Sequence, residues 1–296
     1  MIRFVAWIFR SLNANIITTR YEWIRKPLKV TFLISTKIRF RSLKKSLGKA
    51  QWDIIRNFDG NIKLKIDRSR TMGASFFWSG FHELREFIFL HRFLKKDMIA
   101  IDIGANLGEY TLFMAKRLSN GKVFSFEPMQ IIRDQLVENI SLNGFTNVQV
   151  VGVGLSDQQR VLQIHEVDDV HEGLGTFYLG DRKSKNVQEV PLVTLDSQIE
   201  PLKIPKINFI KIDVEGSELP ALVGARTVIT KWRPYVMVEI NELTYKAAGY
   251  SKEEVAIFFK DLDYRPYSIL KQGNLQEIIS LPAFGNIIFA PLPVFK

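Results

Sequence analysis

The sequence predicts an α/β protein whose core is a mainly parallel, Rossmann-like sheet with helices on both faces. Two observations support this fold class. Between about residues 97 and 262, short apolar runs alternate with segments whose apolar residues recur at helical spacing. Parallel strands are buried on both faces, so they read as short continuous apolar runs, and a helix usually connects each to the next. In addition, a turn with Gly104 and Gly108 directly follows the first apolar run.

Two elements are predicted before the alternating region. Residues 51–67 indicate a hairpin, because IIRNF and the strictly alternating IKLKI flank the turn sequence DGN. Residues 81–96 have apolar positions at helical spacing and a basic last turn, as expected of a helix. The aromatic residues near the start of this helix are interpreted as packing residues. They are Phe76, Phe77, Trp78 and Phe81.

The alternating region contains five predicted strands with helices between and after them. The strands have the sequences MIAIDI, KVFSFE, NVQVVGVGLS, INFIKID and PYVMVEI. The predicted helices cover residues 108–119, 128–144, 217–231 and 251–262. Pro128 opens the second helix and Gly144 closes it, in agreement with the preference for proline in a first turn and glycine after a last turn.

Two segments depart from this alternation. Residues 157–205 contain the strand-like runs VLQIHEV and QEVPLVTL around a polar stretch, which predicts a small β insertion with a loop above the strand ends. The C-terminal tail has strand-like runs on both sides of Gly273-Asn274 and no helix between them, which predicts an antiparallel hairpin at one edge of the sheet. We therefore expect one domain over residues 51–296, preceded by a partly helical extension over residues 1–50.

The basic residues are concentrated in this extension. The chain has a formal charge of +10, and residues 1–50 contain twelve Lys or Arg against one acid, Glu22. The chain has no cysteine, which excludes disulfides and thiolate metal sites and is consistent with a reducing cytoplasm. No window approaches the roughly 18 apolar residues of a membrane-spanning helix. The predicted location is therefore cytoplasmic, with membrane association left open.

Two interpretations of the basic extension remain open. It could be a solvated helical segment that packs some of its aromatic residues on the main domain. Alternatively, residues 1–48 could make a peripheral membrane contact, with Trp7, Phe9 and Trp23 among the lipid headgroups and the basic residues facing anionic lipid. Nucleic acid would also attract this charge. However, no groove-reading motif accompanies it, so a nucleic-acid partner is not expected.

The glycine turn after the first strand is the first candidate ligand site, because ligands of open α/β sheets bind beyond the carboxyl ends of the strands. A dinucleotide fingerprint requires the spacing G-x-G-x-x-G. Here Asn106 takes the place of the middle glycine and Glu109 that of the last, so pyrophosphate binding is disfavoured. Gly104 and Gly108 still allow the backbone to approach a ligand closely, and Asp102 supplies an acceptor or a countercharge.

Acidic and hydroxyl residues also follow the second and third strands. Glu127 ends the second strand, where an acid can accept both hydroxyls of a ribose. Ser156 and Asp157 follow the third strand and could meet the edge of an adenine. One ligand that needs all of these groups is an adenosine joined to a positively charged, phosphate-free group. S-adenosylmethionine fits this description.

The segments IDIGANLGEYT, FSFEP, VGVGLSD and FIKIDVEGSELPALVGA, in this order, resemble the FkbM family of S-adenosylmethionine-dependent methyltransferases. The resemblance covers roughly residues 60–270. It implies a seven-stranded class I methyltransferase sheet and, most often, methylation of a hydroxyl on a sugar or natural product. It also implies that Glu127 holds the ribose and that Ser156 and Asp157 lie near the adenine. The residues implied to line the methionine end are Asp102, Gly104, Asn106 and Gly108.

Carboxylates after the fourth and fifth strands are the candidate catalytic groups. The fourth strand lies beside the first in this fold, so Asp213 and Glu215 would stand next to the sulfonium. A partly desolvated carboxylate has a raised pKa and is a better base. Asp213 is the candidate base or acceptor-orienting group, or alternatively a ligand of the cofactor's cation. Glu215 and Glu239 are second choices. Glu215 or Glu218 could instead cap the helix that begins near Ser217.

Other ionisable groups offer alternatives. His165 and His171, in the β insertion, could act as the base, although surface positions are expected for both, and His82 and His91 are expected to be structural. Asp213 and Glu239 lack supporting ligands for a divalent cation, so no metal is predicted.

Four functions are consistent with these motifs to different degrees. The first is an O-methyltransferase acting on a hydroxyl-bearing small molecule or glycan. The second is a nucleic-acid methyltransferase using the basic arm, but the fourth strand ends in Asp213-Val214-Glu215-Gly216 instead of the Asn/Asp-Pro-Pro-aromatic motif of exocyclic-amine methyltransferases. The third is a dehydrogenase, which the broken fingerprint disfavours. The fourth is a non-catalytic scaffold that binds the cofactor.

Overall fold

A computed structural model describes residues 2–18, 30–39, 50–167, 175–178 and 183–293. Trp23 and His171, named above, lie outside these ranges. The helices are α1 (Ile2–Thr18), α2 (30–39), α3 (Thr71–Ser79), α4 (Leu84–Phe93), α5 (Glu109–Arg117), α6 (Gln130–Asn143), α7 (Leu195–Gln198), α8 (Glu218–Val223), α9 (Arg226–Trp232), α10 (Glu242–Ala248) and α11 (Lys252–Lys260). The strands are β1 (Trp52–Phe58), β2 (Ile62–Asp67), β3 (Ile99–Ile103), β4 (Lys122–Phe126), β5 (Val148–Val151), β6 (Gly154–Leu155), β7 (Arg160–Val167), β8 (Gly175–Thr176), β9 (Ser184–Val193), β10 (Phe209–Ile212), β11 (Tyr235–Asn241), β12 (Tyr264–Ile269), β13 (Leu275–Glu277) and β14 (Phe284–Pro291).

The main sheet confirms the predicted α/β class. Its order is β13-β12-β14-β11-β10-β3-β4-β5, with β11, β10, β3, β4 and β5 parallel to one another. The sheet has eight strands, not seven, because the C-terminal tail forms three strands. The hairpin expected around Gly273-Asn274 is β12 and β13, and it lies at the outer edge. The third strand, β14, lies between β11 and β12 and is antiparallel to both.

Apolar side chains cover both faces of this sheet. On one face, Phe87 of α4 stacks on Tyr110 of α5, with ring centroids 4.8 Å apart. On the other face, Phe259 of α11 stacks on Phe289 of β14 at 3.7 Å. Burial of aromatic surface on both faces is the main stabilising contribution expected for such a sheet. The aromatic residues interpreted as packing residues are all buried: Phe76, Phe77, Trp78 and Phe81.

Several helices differ from the sequence prediction. The helix expected over residues 217–231 is two helices, α8 and α9, separated at Gly224, a residue that disfavours a helix interior. The short helices α3, α7 and α10 were not predicted. Seven of the nine residues of α3 are buried, so this helix lacks the one-sided apolar pattern that identifies a surface helix.

Residues 154–193 contain a second sheet with the order β6-β9-β7-β8. Its long strands β7 and β9 are antiparallel and correspond to the two strand-like runs of the predicted insertion. Before the main sheet, β1 and β2 form the predicted hairpin, and α1 buries Ala6, Ile16 and Ile17. Within the described ranges, no helix combines the length and the hydropathy needed to cross a membrane.

Candidate active site

The tips of β3 and β10 lie side by side at the centre of the main sheet. In the parallel register Lys211 is opposite Asp102, and the Asp213 amide donates to the Ile103 carbonyl at 3.1 Å. A cavity of about 940 Å³ opens above these tips, within the usual volume of a small-molecule site. Six of the predicted site residues line it: Gly104, Asn106, Glu127, Asp213, Glu215 and Glu239. Ile164 and Gly175 of the second sheet, and Phe177 just after β8, also contribute to its wall.

Gly104 brings the two strand tips into direct backbone contact. Its φ is +79°, in the left-handed region that favours glycine. A Cβ built at this position would lie 1.9 Å from the carbonyl oxygen of Asp213, closer than any real contact. The first glycine of the turn therefore sets the spacing between the glycine loop and the catalytic carboxylate predicted from the sequence.

We expect Gly104→Ala to lower the free energy of unfolding by about 3 kcal/mol or more, because the new methyl group forces two backbones apart. Gly249→Ala is a matched control, since Gly249 has a φ of +85° and no atom within 4 Å of a built Cβ. The control should lose about 1 kcal/mol, the cost of the left-handed conformation alone. Urea denaturation measures both, and equal losses would contradict the close approach.

Glu127 is fixed against the glycine loop through both of its carboxylate oxygens. Oε2 accepts the amide of Asn106 and Oε1 the amide of Met129, each at 3.0 Å. Burial raises the pKa of this carboxyl to about 7, and the two amide hydrogen bonds oppose that rise. Each oxygen keeps a further acceptor lone pair, so the carboxylate can still accept hydrogen bonds from the hydroxyl groups of a ligand in the cavity.

Lys211 is the countercharge for the carboxylates at the strand tips, and the sequence analysis missed it. Its side chain is buried, with Nζ 3.1 Å from Asp213 Oδ2 and 4.6 Å from the Tyr110 ring centroid. Burial lowers the pKa of this amine, but four surrounding carboxylates raise it above its ordinary value. They are Asp213, Asp102, Glu109 and Glu83. The sequence FIKID could have indicated this pairing, because Lys211 and Asp213 are two residues apart and such residues on a strand face the same side.

One lysine does not balance this number of acids. Asp102 is fully buried, and while Oδ2 accepts the Thr111 hydroxyl at 2.6 Å, Oδ1 accepts no hydrogen bond from the described residues. Glu109 Oε2 is likewise buried and receives none from them. Burial raises the pKa of both carboxyls, that of Glu109 to about 8. When these carboxyls ionise, the site has an excess of buried negative charge, which a cationic ligand would neutralise.

The raised pKa of Glu109 makes stability fall as pH rises. Between about pH 4.5 and 8 the unfolded chain has already lost this proton while the folded chain keeps it, so the folded state loses stability through this window. This loss in the free energy of unfolding should be on the order of a few kcal/mol between pH 5 and pH 9. We expect Glu109→Gln to remove most of it. Urea denaturation without added cofactor measures it. The exposed Glu200→Gln should leave the pH profile unchanged, and an unchanged profile for Glu109→Gln would contradict the assignment.

Another cluster of acids, Asp213, Glu218 and Glu239, lies on the β10 and β11 side of the cavity. One carboxylate oxygen each of Asp213, Glu218 and Glu239 lies within 4.8 Å of the others. Glu218 accepts the amides of Val214 and Gly216, so it fixes the loop before α8. Burial, followed by repulsion from Asp213, raises the pKa of Glu239 well above its ordinary value. Since Lys211 and backbone amides already contact this group, we assign no metal to it.

Four predicted site residues do not reach the cavity wall. Asp102 lies in β3 beneath it, and Gly108 begins α5 behind it. Ser156 and Asp157 bond to each other at 2.9 Å and to Arg160, whereas their neighbours Gly154 and Leu155 line the cavity. Further cavity residues not predicted as site residues are Glu83, Glu109, Lys211, Asn241 and Lys246.

The histidines occupy different surroundings. His82 lines the cavity. His165 lies on β7 outside the cavity wall, with its Nδ1 3.3 Å from the Ser184 hydroxyl. His91 lies beside Arg117, and burial lowers its pKa.

Comparison with known proteins gives a family and several relatives. The model of the methyltransferase FkbM domain matches residues 102–266. The AMB antimetabolite synthetase AmbE of Pseudomonas aeruginosa is 27% identical over 187 residues, which are 50% of this chain and 9% of AmbE. The hexuronic acid methyltransferase AglP of Haloferax volcanii is 26% identical over 147 residues, with 50% of this chain and 57% of AglP covered. The chain thus spans only part of each relative.

Among solved structures, a methyltransferase FkbM from Methylobacillus flagellatus KT is similar to this chain, with 15% identity and a TM-score of 0.47. The similarity covers 87% of this chain and 59% of that one.

Proposed function

The chain belongs to the FkbM methyltransferase family, whose cofactor is S-adenosylmethionine, and on this premise we propose that it methylates a hydroxyl of a glycan or small natural product. The observation that carries the proposal is the excess of buried carboxylates around Lys211, next to the Gly104–Asn106 turn. When bound, S-adenosylmethionine supplies a methyl group on a cationic sulfonium. The residues around the cavity bind and orient the two reactants.

The glycine loop and Glu127 form the cofactor side of the cavity. Glu127 accepts the Asn106 amide, so the carboxylate and the loop act as one unit toward the ribose hydroxyls. Asp102 and Glu109 are buried carboxyls close to the loop, and their ionised forms would be stabilised by a bound cation and destabilised by a phosphate. Ser156 and Asp157 remain the residues proposed to lie near the adenine, because their neighbours Gly154 and Leu155 line the cavity.

Asp213 and Glu239 form the acceptor side. The Lys211 ammonium holds Asp213 in one orientation, which suits a group that positions the acceptor hydroxyl. Glu239 has the raised pKa expected of a better base, so it is the second carboxylate available to take the hydroxyl proton. Glu215 lines the same wall and is the third candidate.

A sugar acceptor is supported by the chemistry named for one relative, the hexuronic acid methyltransferase AglP. A nucleic-acid acceptor has less support. The cavity wall contains Glu83, Glu109, Asp213, Glu215 and Glu239, and these acids would repel phosphates near the reacting atom. The acidic wall favours an acceptor whose reacting part is uncharged.

Calorimetry and radiolabelled methyl transfer test the proposal. We expect heat of binding for S-adenosylmethionine and its demethylated product, and transfer of label into glycan, lipid-linked glycan or small-molecule fractions. Label in the RNA fraction alone would overturn the acceptor class. Binding without transfer to any fraction would favour a scaffold. Tight binding of a nicotinamide nucleotide with no heat from S-adenosylmethionine would overturn the whole assignment.

A further inference from the structure

The two N-terminal helices bury polar as well as apolar residues and expose several large apolar side chains. Arg10 and Asn13 of α1 are buried, and so is Ser35 of α2. Arg10 Nε donates to Asn57 Oδ1 at 2.6 Å, and Asn13 Nδ2 donates to the Ser79 carbonyl at 2.9 Å. These hydrogen bonds attach α1 to the hairpin and to α3. The inner side of the helix pair is thus stabilised by specific polar contacts as well as by apolar burial.

The outer side carries large apolar side chains. Phe4 of α1 is 65% exposed and Trp7 is 48% exposed, and their rings stack with centroids 6.4 Å apart. On α2, Leu33 is 61% exposed, and Val30 and Ile34 are exposed on the same helix face. The two helices contact each other, since the Thr31 hydroxyl donates to Asn13 Oδ1 at 2.8 Å. We define the N-terminal apolar surface as Phe4, Trp7, Ile8, Val30, Leu33 and Ile34.

Exposed apolar side chains of this size are not expected on the outer side of a helix pair that faces water. Single exposed apolar residues are ordinary, but grouped ones, including an aromatic pair, indicate a surface that is covered by something less polar than water. The buried hydrogen bonds and apolar contacts of the inner side show that α1 and α2 already have their inward contacts. Their outward face is therefore available for a partner while the inner hydrogen bonds stay intact.

We propose that the N-terminal apolar surface docks the protein on a lipid bilayer with anionic headgroups. The charge of the segment favours this partner. Residues 1–50 carry twelve Lys or Arg and one acid, and although Arg10 is buried, Lys37 is exposed on the same face of α2 as Leu33 and Ile34. Anionic lipid complements that charge, whereas a second copy of the chain would bring the same positive charge against it. Tryptophan and phenylalanine are also residues that enter the headgroup region of a bilayer.

Sedimentation of the full chain with vesicles tests the proposal. We expect binding to vesicles of phosphatidylcholine with phosphatidylglycerol and weaker binding to phosphatidylcholine alone, with the difference reduced by salt. The double variant Trp7→Ser, Leu33→Ser should bind about tenfold or more weakly, because two apolar anchors are lost. Ile279→Ser is the matched control, an exposed apolar residue outside the surface, and should bind as the unchanged chain does.

Equal binding of the double variant and the control would overturn the proposal, as would failure of the unchanged chain to sediment with either vesicle. Sedimentation velocity without lipid tests the alternative that the surface binds a second copy of the chain. A concentration-dependent dimer that the double variant abolishes, with no vesicle binding, would assign the surface to a second copy and overturn the lipid assignment. Thermal melting of both variants should match that of the unchanged chain, since the replaced side chains are exposed.

Discussion

Replacing Asp213 with asparagine should lower methyl transfer about a thousandfold while leaving the fold intact. Asparagine keeps the shape of the side chain but lacks the carboxylate that would orient the acceptor or accept its proton. A general base typically accelerates a reaction by about a hundredfold to ten-thousandfold. Lys211 remains surrounded by Asp102, Glu109 and Glu83, so the buried ammonium still has counterions. Single-turnover transfer into the labelled acceptor fraction, with thermal melting alongside, measures the two effects separately.

The exposed Asp261→Asn is the matched control and should transfer methyl groups at the unchanged rate. A comparison with Glu239→Gln then separates the roles of the two carboxylates. If Glu239 takes the proton, its replacement should lower the transfer rate and remove the pH dependence, with little change in cofactor affinity. Near-normal transfer by Asp213→Asn would remove this residue from the mechanism.

Replacing Lys211 with methionine should destabilise the protein by about 3–5 kcal/mol at pH 8, because it leaves several buried carboxylates without their countercharge. Methionine fills a similar space, so the loss of packing is small. The loss should be smaller at pH 5, since a buried carboxylate with a raised pKa can take up a proton there instead of remaining charged. Urea denaturation at the two pH values measures the difference.

Lys206→Met provides the control, because Lys206 is exposed in the loop before β10. It should change stability by less than about 0.5 kcal/mol at either pH. A loss for Lys211→Met that is small at pH 8, or one that does not depend on pH, would show that the carboxylates do not rely on this ammonium.

The periodic parts of the fold could be predicted from the sequence. The strands β3, β4, β10 and β11 are continuous apolar runs, and α6 ends at Gly144, which adopts the left-handed conformation expected after a helix. The positions of the glycine loop and of Asp213 followed from the rule that parallel strands present their carboxyl ends at one edge. These features are local in the chain, so a single sequence contains their signal.

The remaining features depend on contacts between distant segments. Residues 284–291 read as a strand, but their place between β11 and β12 is set by pairing that no local pattern encodes. Asp102 was expected to line the ligand site, yet it lies beneath the cavity and bonds to Thr111, a side chain that comes from α5. The role of Lys211 depends on Glu83 and Glu109 as well as on Asp213, and the first two lie far from it in sequence.

The position of β14 has a consequence for how the molecule assembles. During synthesis, β11 and β12 are made before the strand that separates them, so neither can complete its pairing until residues 284–291 have been made. Until then, the edge of β11 is exposed, and the hairpin of β12 and β13 cannot join the main sheet. Exposed strand edges promote association between chains. Shortened polypeptides that stop before Phe284 should accordingly collect in inclusion bodies.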